Sequence, residues 1–329
     1  MTESRPLLTL NELIEFLELS LQCAVRAGVA FRYDPAEPRD RFAVLLLYAV
    51  LDHARAVLTL ARAGVFPAIA VVTRSALDAY VDIANLGDHP RYWEDLMAVD
   101  AAKWQTLLER ASRGGNPVLR GLSADALLPL GRRKYARELK ALRARGVKEL
   151  GIAERFKNAE LTNEYESVYS ILSSETHNNI SSLQSRYIDR NENEVWIVQP
   201  GETSKHAHHY ELPCTLTMAE IVLRSTEKVL RLFGHGVAVV SQPLRELERI
   251  WGLAQAEEAR QEQERAVERR SVPLAKRYVL HDAPHRAISD PDDSARDGRS
   301  WRSTTGLPPP TSMSRLGIPL LPRELIRPE

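Results

Sequence analysis

The sequence predicts an all-α protein: a helical bundle with a small β-hairpin insertion and a disordered C-terminal tail. Three observations predict it. Apolar residues recur three and four positions apart through much of residues 1–270, the period of a helix face. Aromatic residues are only 6% of the chain, while Leu, Ala and Arg are abundant, a mixture that favours helices over sheets. From Ser271 onward Pro, Ser, Asp and Arg dominate, with a run at Pro308 to Pro310, so residues 271–329 read as a disordered tail. No internal repeat is present.

The elements follow in order. Thr9-Leu10-Asn11-Glu12 has capping-box spacing and opens a helix to about Ala27. Asp34-Pro35 and Glu37-Pro38 break the chain. A long helix fits Asp40 to Ala63, with Asp40 as N-cap and Gly64 after its end. Its centre is apolar almost all round and should be deeply buried; His53 within it reads as a hydrogen-bonded core or boundary histidine. Pro67 suits the first turn of a third helix that stops at Leu86 before Gly87. A fourth runs from His89-Pro90 to Arg113-Gly114-Gly115. After a linker, Ser123 caps a fifth stretch rich in Arg and Lys, including Arg132, Arg133, Arg137 and Lys140. That region reads as a solvated face or, more sharply, as a phosphate-contacting one.

A short helix fits Ile152 to Asn158, and a single helix fits Glu164 to Leu183. Arg186 to Ile188 and Val195 to Val198 flank a polar turn, a hairpin pattern that places the insertion at about residues 186–199. The next segment, with His206, His208, His209 and Cys214, has zinc-compatible side chains at no established zinc spacing and reads foremost as a solvated loop. A helix then runs from Thr217 to Phe233, and a last one from Ser241 or Pro243 to at least Arg270. Beyond Trp251 that helix loses apolar residues, so it should project into solvent or pack on a protein partner, together with the tail.

Composition excludes several classes. Lys plus Arg equals Asp plus Glu at 44 each, so no global field recruits nucleic acid or membrane. Two cysteines are too few for a disulfide framework. Glu12, Glu15 and Glu18 interrupt the N-terminal apolar residues, which argues against a signal peptide, and the longest apolar runs fall short of the ~20 residues of a span. A cytoplasmic protein with no membrane partner is the expectation. Motifs for dinucleotides, phosphate loops, nucleophile elbows and paired metal-binding cysteines are absent, and no cofactor is expected.

Two polar stripes remain. Arg74, Asp78, Asp82 and Asn85 fall on one face of the third helix. Ser170, Ser174, His177 and Ser181 form a second stripe on the Glu164–Leu183 helix, opposite an apolar one of Tyr165, Tyr169, Leu172, Ile180 and Leu183. Should the two faces meet, Arg74, Asp78, Ser174 and His177 would converge. An arginine that grips an anion and a histidine that moves a proton suit phosphodiester cleavage. They suit structural cross-links equally, through an Arg74–Asp78 pair and a hydrogen bond from His177 to Asp78 or a carbonyl.

These features resemble a widespread bacterial helical family, domain of unknown function 5677: an Arg-x-x-x-acid helix, here Arg74 with Asp78, then a Tyr…Ser…His helix, here Tyr169, Ser173 or Ser174, and His177. The likeness covers about Phe42 to Ser185, with Asp78 where Glu is more usual. The arrangement is also similar to HEPN-type helical domains, many of them ribonucleases of toxin and antiphage systems. Their hallmark Arg shortly before the His, on one helix, is missing, since Ser170, Ile171 and Leu172 occupy those positions. The resemblance implies a metal-independent ribonuclease acting on RNA in a defence or toxin–antitoxin role, using His177 and Arg74. The alternative is a non-enzymatic helical scaffold. A homodimer fits both.

Overall fold

The computed structural model describes residues 9–123, 127–177, 179–190, 195–197 and 208–271. Two compact units are distinguished, residues 1–259 and 260–329, the second contributing only the end of the last helix to the described residues. The tail and His206 lie outside those residues.

The first unit is helical. Helix α1 (Leu10–Val29) starts on the capping box, with the Thr9 hydroxyl accepting from the Glu12 amide at 3.3 Å and the Thr9 amide donating to the Glu12 carboxylate at 2.7 Å. Helix α2 (Pro38–Arg62) begins earlier than Asp40, because Glu37 takes the N-cap and Pro38 the first turn. The Asp40 carboxylate instead accepts the Asp34 amide at 3.1 Å. Gly64, at φ 69°, ends this helix in a conformation that costs glycine little. Helix α3 (Pro67–Asp88) runs through Gly87, since the Arg39 guanidinium donates to the carbonyls of Leu86 (2.7 Å) and Gly87 (2.8 Å) and satisfies that terminus.

Helices α2 and α3 pack against each other and, with α1 and α11 (His208–Leu232), enclose the main core. Leu17, Leu47, Ile69, Ile83, Leu86 and Met218 are fully buried there, each Leu or Ile contributing about 1.5–3 kcal/mol. Helix α2 is long and apolar enough to cross a membrane, and its Leu47, Val50, Leu51 and Val57 pack in this bundle core. A satellite cluster joins α4 (Tyr92–Arg113) to α6 (Leu128–Ala144) through Leu108, Tyr135, Leu139 and Leu142, while Arg132, Arg133, Arg137 and Lys140 of α6 stay exposed. Between them lie a short 3₁₀ turn, Pro117–Leu119, and the four-residue α5 (Arg120–Ser123).

The stretch expected as a single helix is divided. After α7 (Ile152–Asn158) and the short α8 (Thr162–Glu164), a π-turn spans Tyr165–Tyr169. Helix α9 (Ser170–Thr176) ends at His177, and α10 (Ile180–Tyr187) begins after it. The break has a physical cause: the Asn179 amide folds back onto the Ser174 carbonyl at 3.1 Å, and the Leu183 amide restarts the ladder on Asn179. Ile180 consequently leaves the apolar stripe and is exposed, whereas Tyr169 and Leu172 remain buried.

Strands β1 (Ile188–Arg190) and β2 (Val195–Ile197) pair antiparallel, Ile188 with Ile197 and Arg190 with Val195. This ladder is too short to form a layer of its own. The segment expected as a loop with His208 and His209 opens helix α11, and Pro213 sits inside that helix near its start, where one missing amide costs least. The last helix, α12 (Ala238–Ser271), buries Val240, Leu244, Leu247 and Ile250 against α1 and α11 residues.

Candidate functional site

The break at His177 opens a cleft of about 520 Å³. Its walls are Tyr165, Glu166, Tyr169, Ser170, Ser173, Ser174, His177 and Asn179. The π-turn and α9 supply nearly all of them, so one local stretch builds the site. His177 is the C-cap of α9, held by its own amide on the Ser173 carbonyl at 3.0 Å, and its side chain is exposed. Ser174 is half-buried one turn earlier. The predicted polar stripe therefore does face one space, with the Ser181 side chain outside the described residues.

Three rings back this cleft. Phe156 of α7 is fully buried and lies 5.3 Å from the Tyr165 centroid and 5.0 Å from that of Tyr169. Tyr165 and Tyr169 stack on each other at 5.4 Å and 20°. Both had the spacing of plain core residues, and what that spacing could not show is that the wide turn sets them along an open wall.

Arg74 reaches the site from behind. Its Nη2 donates to the Tyr169 hydroxyl at 2.8 Å, with the guanidinium carbon 5.1 Å from that ring's centroid. Accepting this bond leaves the hydroxyl hydrogen of Tyr169 free to donate. The Arg74–Asp78 pair expected within α3 is not formed: no ion pair within 4.0 Å joins them among the described residues, because Arg74 turns toward Tyr169. Arg74 Nε and Asp78 Oδ1 are buried without a hydrogen-bond partner among the described residues. Burial pushes the Asp78 carboxyl above the usual carboxylate range, with the charges of Arg155 and then Arg74 pulling it back.

A sign follows for stability. A group whose folded pKa is raised binds its proton more readily folded than unfolded, so its penalty grows as pH rises through the folded value. Asp78→Asn should therefore raise Tm at pH 7, with the gain shrinking toward pH 4, as a pair of melts at the two pH values would read.

The rest of the α3 face makes a structural clamp. Asp82 accepts the Arg155 Nη1 with both carboxylate oxygens at 2.9 Å and the Tyr92 hydroxyl at 2.7 Å. Burial pushes the Asp82 carboxyl up and Arg155 opposes it, and the Tyr92 phenol is likewise pushed up, by burial and then by Asp82. The Asn85 amide donates to the carbonyls of Val81 and Arg155, both at 2.9 Å. No sequence pattern singles out Arg155, which joins α3 to α7 by charge.

Among the described residues no three His, Cys, Asp or Glu converge. Cys214 is buried within α11, its thiol pushed up to about 12 by burial and then by the charge of Glu175, so it is neither a ready ligand nor a nucleophile.

Residues 40–195 match a family of unknown function, DUF5677. No curated protein and no solved structure matches the chain. The matched segment runs from the first turn of α2 to the start of β2 and includes Arg74, the π-turn and every wall of the cleft. Through these residues the chain is similar to the DUF5677 family of unknown function.

Proposed function

We propose that this protein is a ribonuclease working by general acid–base catalysis, with the cleft at the α9–α10 break as its centre. One observation carries the reading: His177, Ser174 and Tyr169 share one water-reachable cleft, and Arg74 donates to the Tyr169 hydroxyl behind it. In the reaction a ribose 2′-hydroxyl attacks the adjacent phosphorus and the bond to the 5′-oxygen breaks. The exposed imidazole of His177 takes the proton of the 2′-hydroxyl, and solvent water supplies the proton that the departing 5′-oxygen needs. The Tyr169 hydroxyl, held by Arg74, donates to the charge that develops on the phosphoryl oxygens. Ser174 orients the ribose, and Asp78 is the buried counter-charge beside Arg74. The exposed cations of α6 offer the phosphate chain a basic face. The analogy with HEPN-type domains of defence and toxin systems supports this only in arrangement, since here Arg and His come from different helices.

The second reading, a helical scaffold binding a protein partner or a second copy, draws on α12, whose residues Gly252 and Ala254 to Ala256 are exposed. One assay separates the two. Wild type and His177→Ala are incubated with total RNA while melts are run on both. The ribonuclease reading expects cleavage by wild type, a loss of about 10²–10⁴-fold in the variant, and an unchanged Tm because the side chain is exposed. Equal cleavage by both removes His177 from the mechanism, and no cleavage by either leaves the scaffold.

A further inference from the structure

We infer that the cleft receives a single unpaired guanine base, with Tyr165 as stacking surface and Glu166 as the selecting group. This rests on the ribonuclease reading and narrows its substrate. Among the described residues no Lys or Arg lines the cleft, and the one carboxylate on its walls is Glu166, whose side chain is exposed to incoming solute. Beside the scissile phosphate, such a lining favours a neutral, flat, hydrogen-bonding group.

Tyr165 supplies the surface for it. The ring is half-buried, stacked on Tyr169 and backed by Phe156, so it is held in one orientation before any base arrives. At about 520 Å³ the cleft has room for a nucleoside.

Glu166 then decides which base. An ionised carboxylate only accepts hydrogen bonds, and it does so with two oxygens side by side. The pairing edge of guanine presents two neighbouring donors, N1–H and the 2-amino group. Adenine and cytosine place an acceptor next to their amino group, and uracil sets one donor between two carbonyls, so each meets the carboxylate with a repulsive contact. Inside a duplex that edge is already paired and both faces are stacked, which restricts the cleft to single strands, loops and ends.

The test uses full-length His177→Ala protein, so that binding is read without turnover, and three fluorescein-labelled pentaribonucleotides, UUGUU, UUAUU and UUIUU, followed by anisotropy. UUGUU should bind about tenfold or more tighter than UUAUU, with the inosine strand between them because it lacks the 2-amino donor. Adding Glu166→Gln should erase the preference for guanine over adenine without a change in Tm, since the residue is exposed. Tyr165→Leu should weaken all three strands together. Equal binding of the three strands, or a guanine preference that survives Glu166→Gln, overturns the inference. The two readings fail separately: wild type that cuts RNA with no guanine dependence defeats only the base assignment. Selective guanine binding without any cutting by wild type defeats the ribonuclease and keeps the guanine site.

Discussion

Arg155→Met should lower the unfolding free energy by about 3–5 kcal/mol, the cost of stranding one member of a buried ion pair. The side chains of Arg155 and Asp82 are only 19% and 10% exposed, and Arg155 contacts both carboxylate oxygens. Without the guanidinium, the hydrogen bond left to Asp82 among the described residues is that from the Tyr92 hydroxyl. In a unit of this size such a loss lowers Tm by roughly 10 °C. Urea denaturation of wild type and variant measures it directly. The Asp82→Asn change added to Arg155→Met should recover a large part of the deficit, because it removes the orphaned charge. The deficit should also narrow as pH falls toward 4. Burial already holds the Asp82 carboxyl above its ordinary value, so acid neutralises it sooner in the folded protein than in the unfolded chain. A loss below about 1 kcal/mol at pH 7 would show that the pair is replaceable and that apolar contacts hold α7 on α3.

Phe156→Ala should cost a similar amount, about 3–5 kcal/mol, through lost burial and the cavity left behind. The ring is fully buried and touches both tyrosines of the cleft wall. The variant couples stability to function: Tyr165 and Tyr169 lose their backing, so the bond from Arg74 to the Tyr169 hydroxyl loses its fixed geometry. RNA cleavage by the folded fraction should fall along with Tm. Phe156→Leu, which refills most of the volume, should soften both effects. Urea denaturation and cleavage assays below the melting transition separate the two losses.

Local rules were legible where a residue acts within a turn of itself. Thr9 with Glu12 announces α1, Pro67 starts α3, and Gly64 ends α2. Periodicity alone placed Arg74, Asp78, Asp82 and Asn85 on one face of α3. It could not say what each would meet. Arg74 finds Tyr169 at 95 residues' separation, and Asp82 finds Arg155 at 73. Arg155 sits in a seven-residue helix with no pattern to single it out. The division of the Glu164–Leu183 stretch was hidden for a different reason. Ser, Thr and Asn are only mildly unfavourable in helices, so the outcome there turns on tertiary fit rather than propensity. The segment around His208 and His209 reads as a loop, yet it opens α11, with Pro213 inside that helix.

The wide turn at Tyr165–Tyr169 amounts to one extra residue threaded into a helical path. Each residue of an ordinary helix advances the chain by about 100° around its axis. A descendant lacking any single residue there would rejoin a regular spiral and swing Ser173, Ser174 and His177 about a quarter-turn away from the tyrosines. The composition of the segment would be almost unchanged, but its chemistry would point elsewhere. Spacing across this turn, more than the identity of its side chains, is the quantity that keeps the imidazole and the aromatic wall on one side.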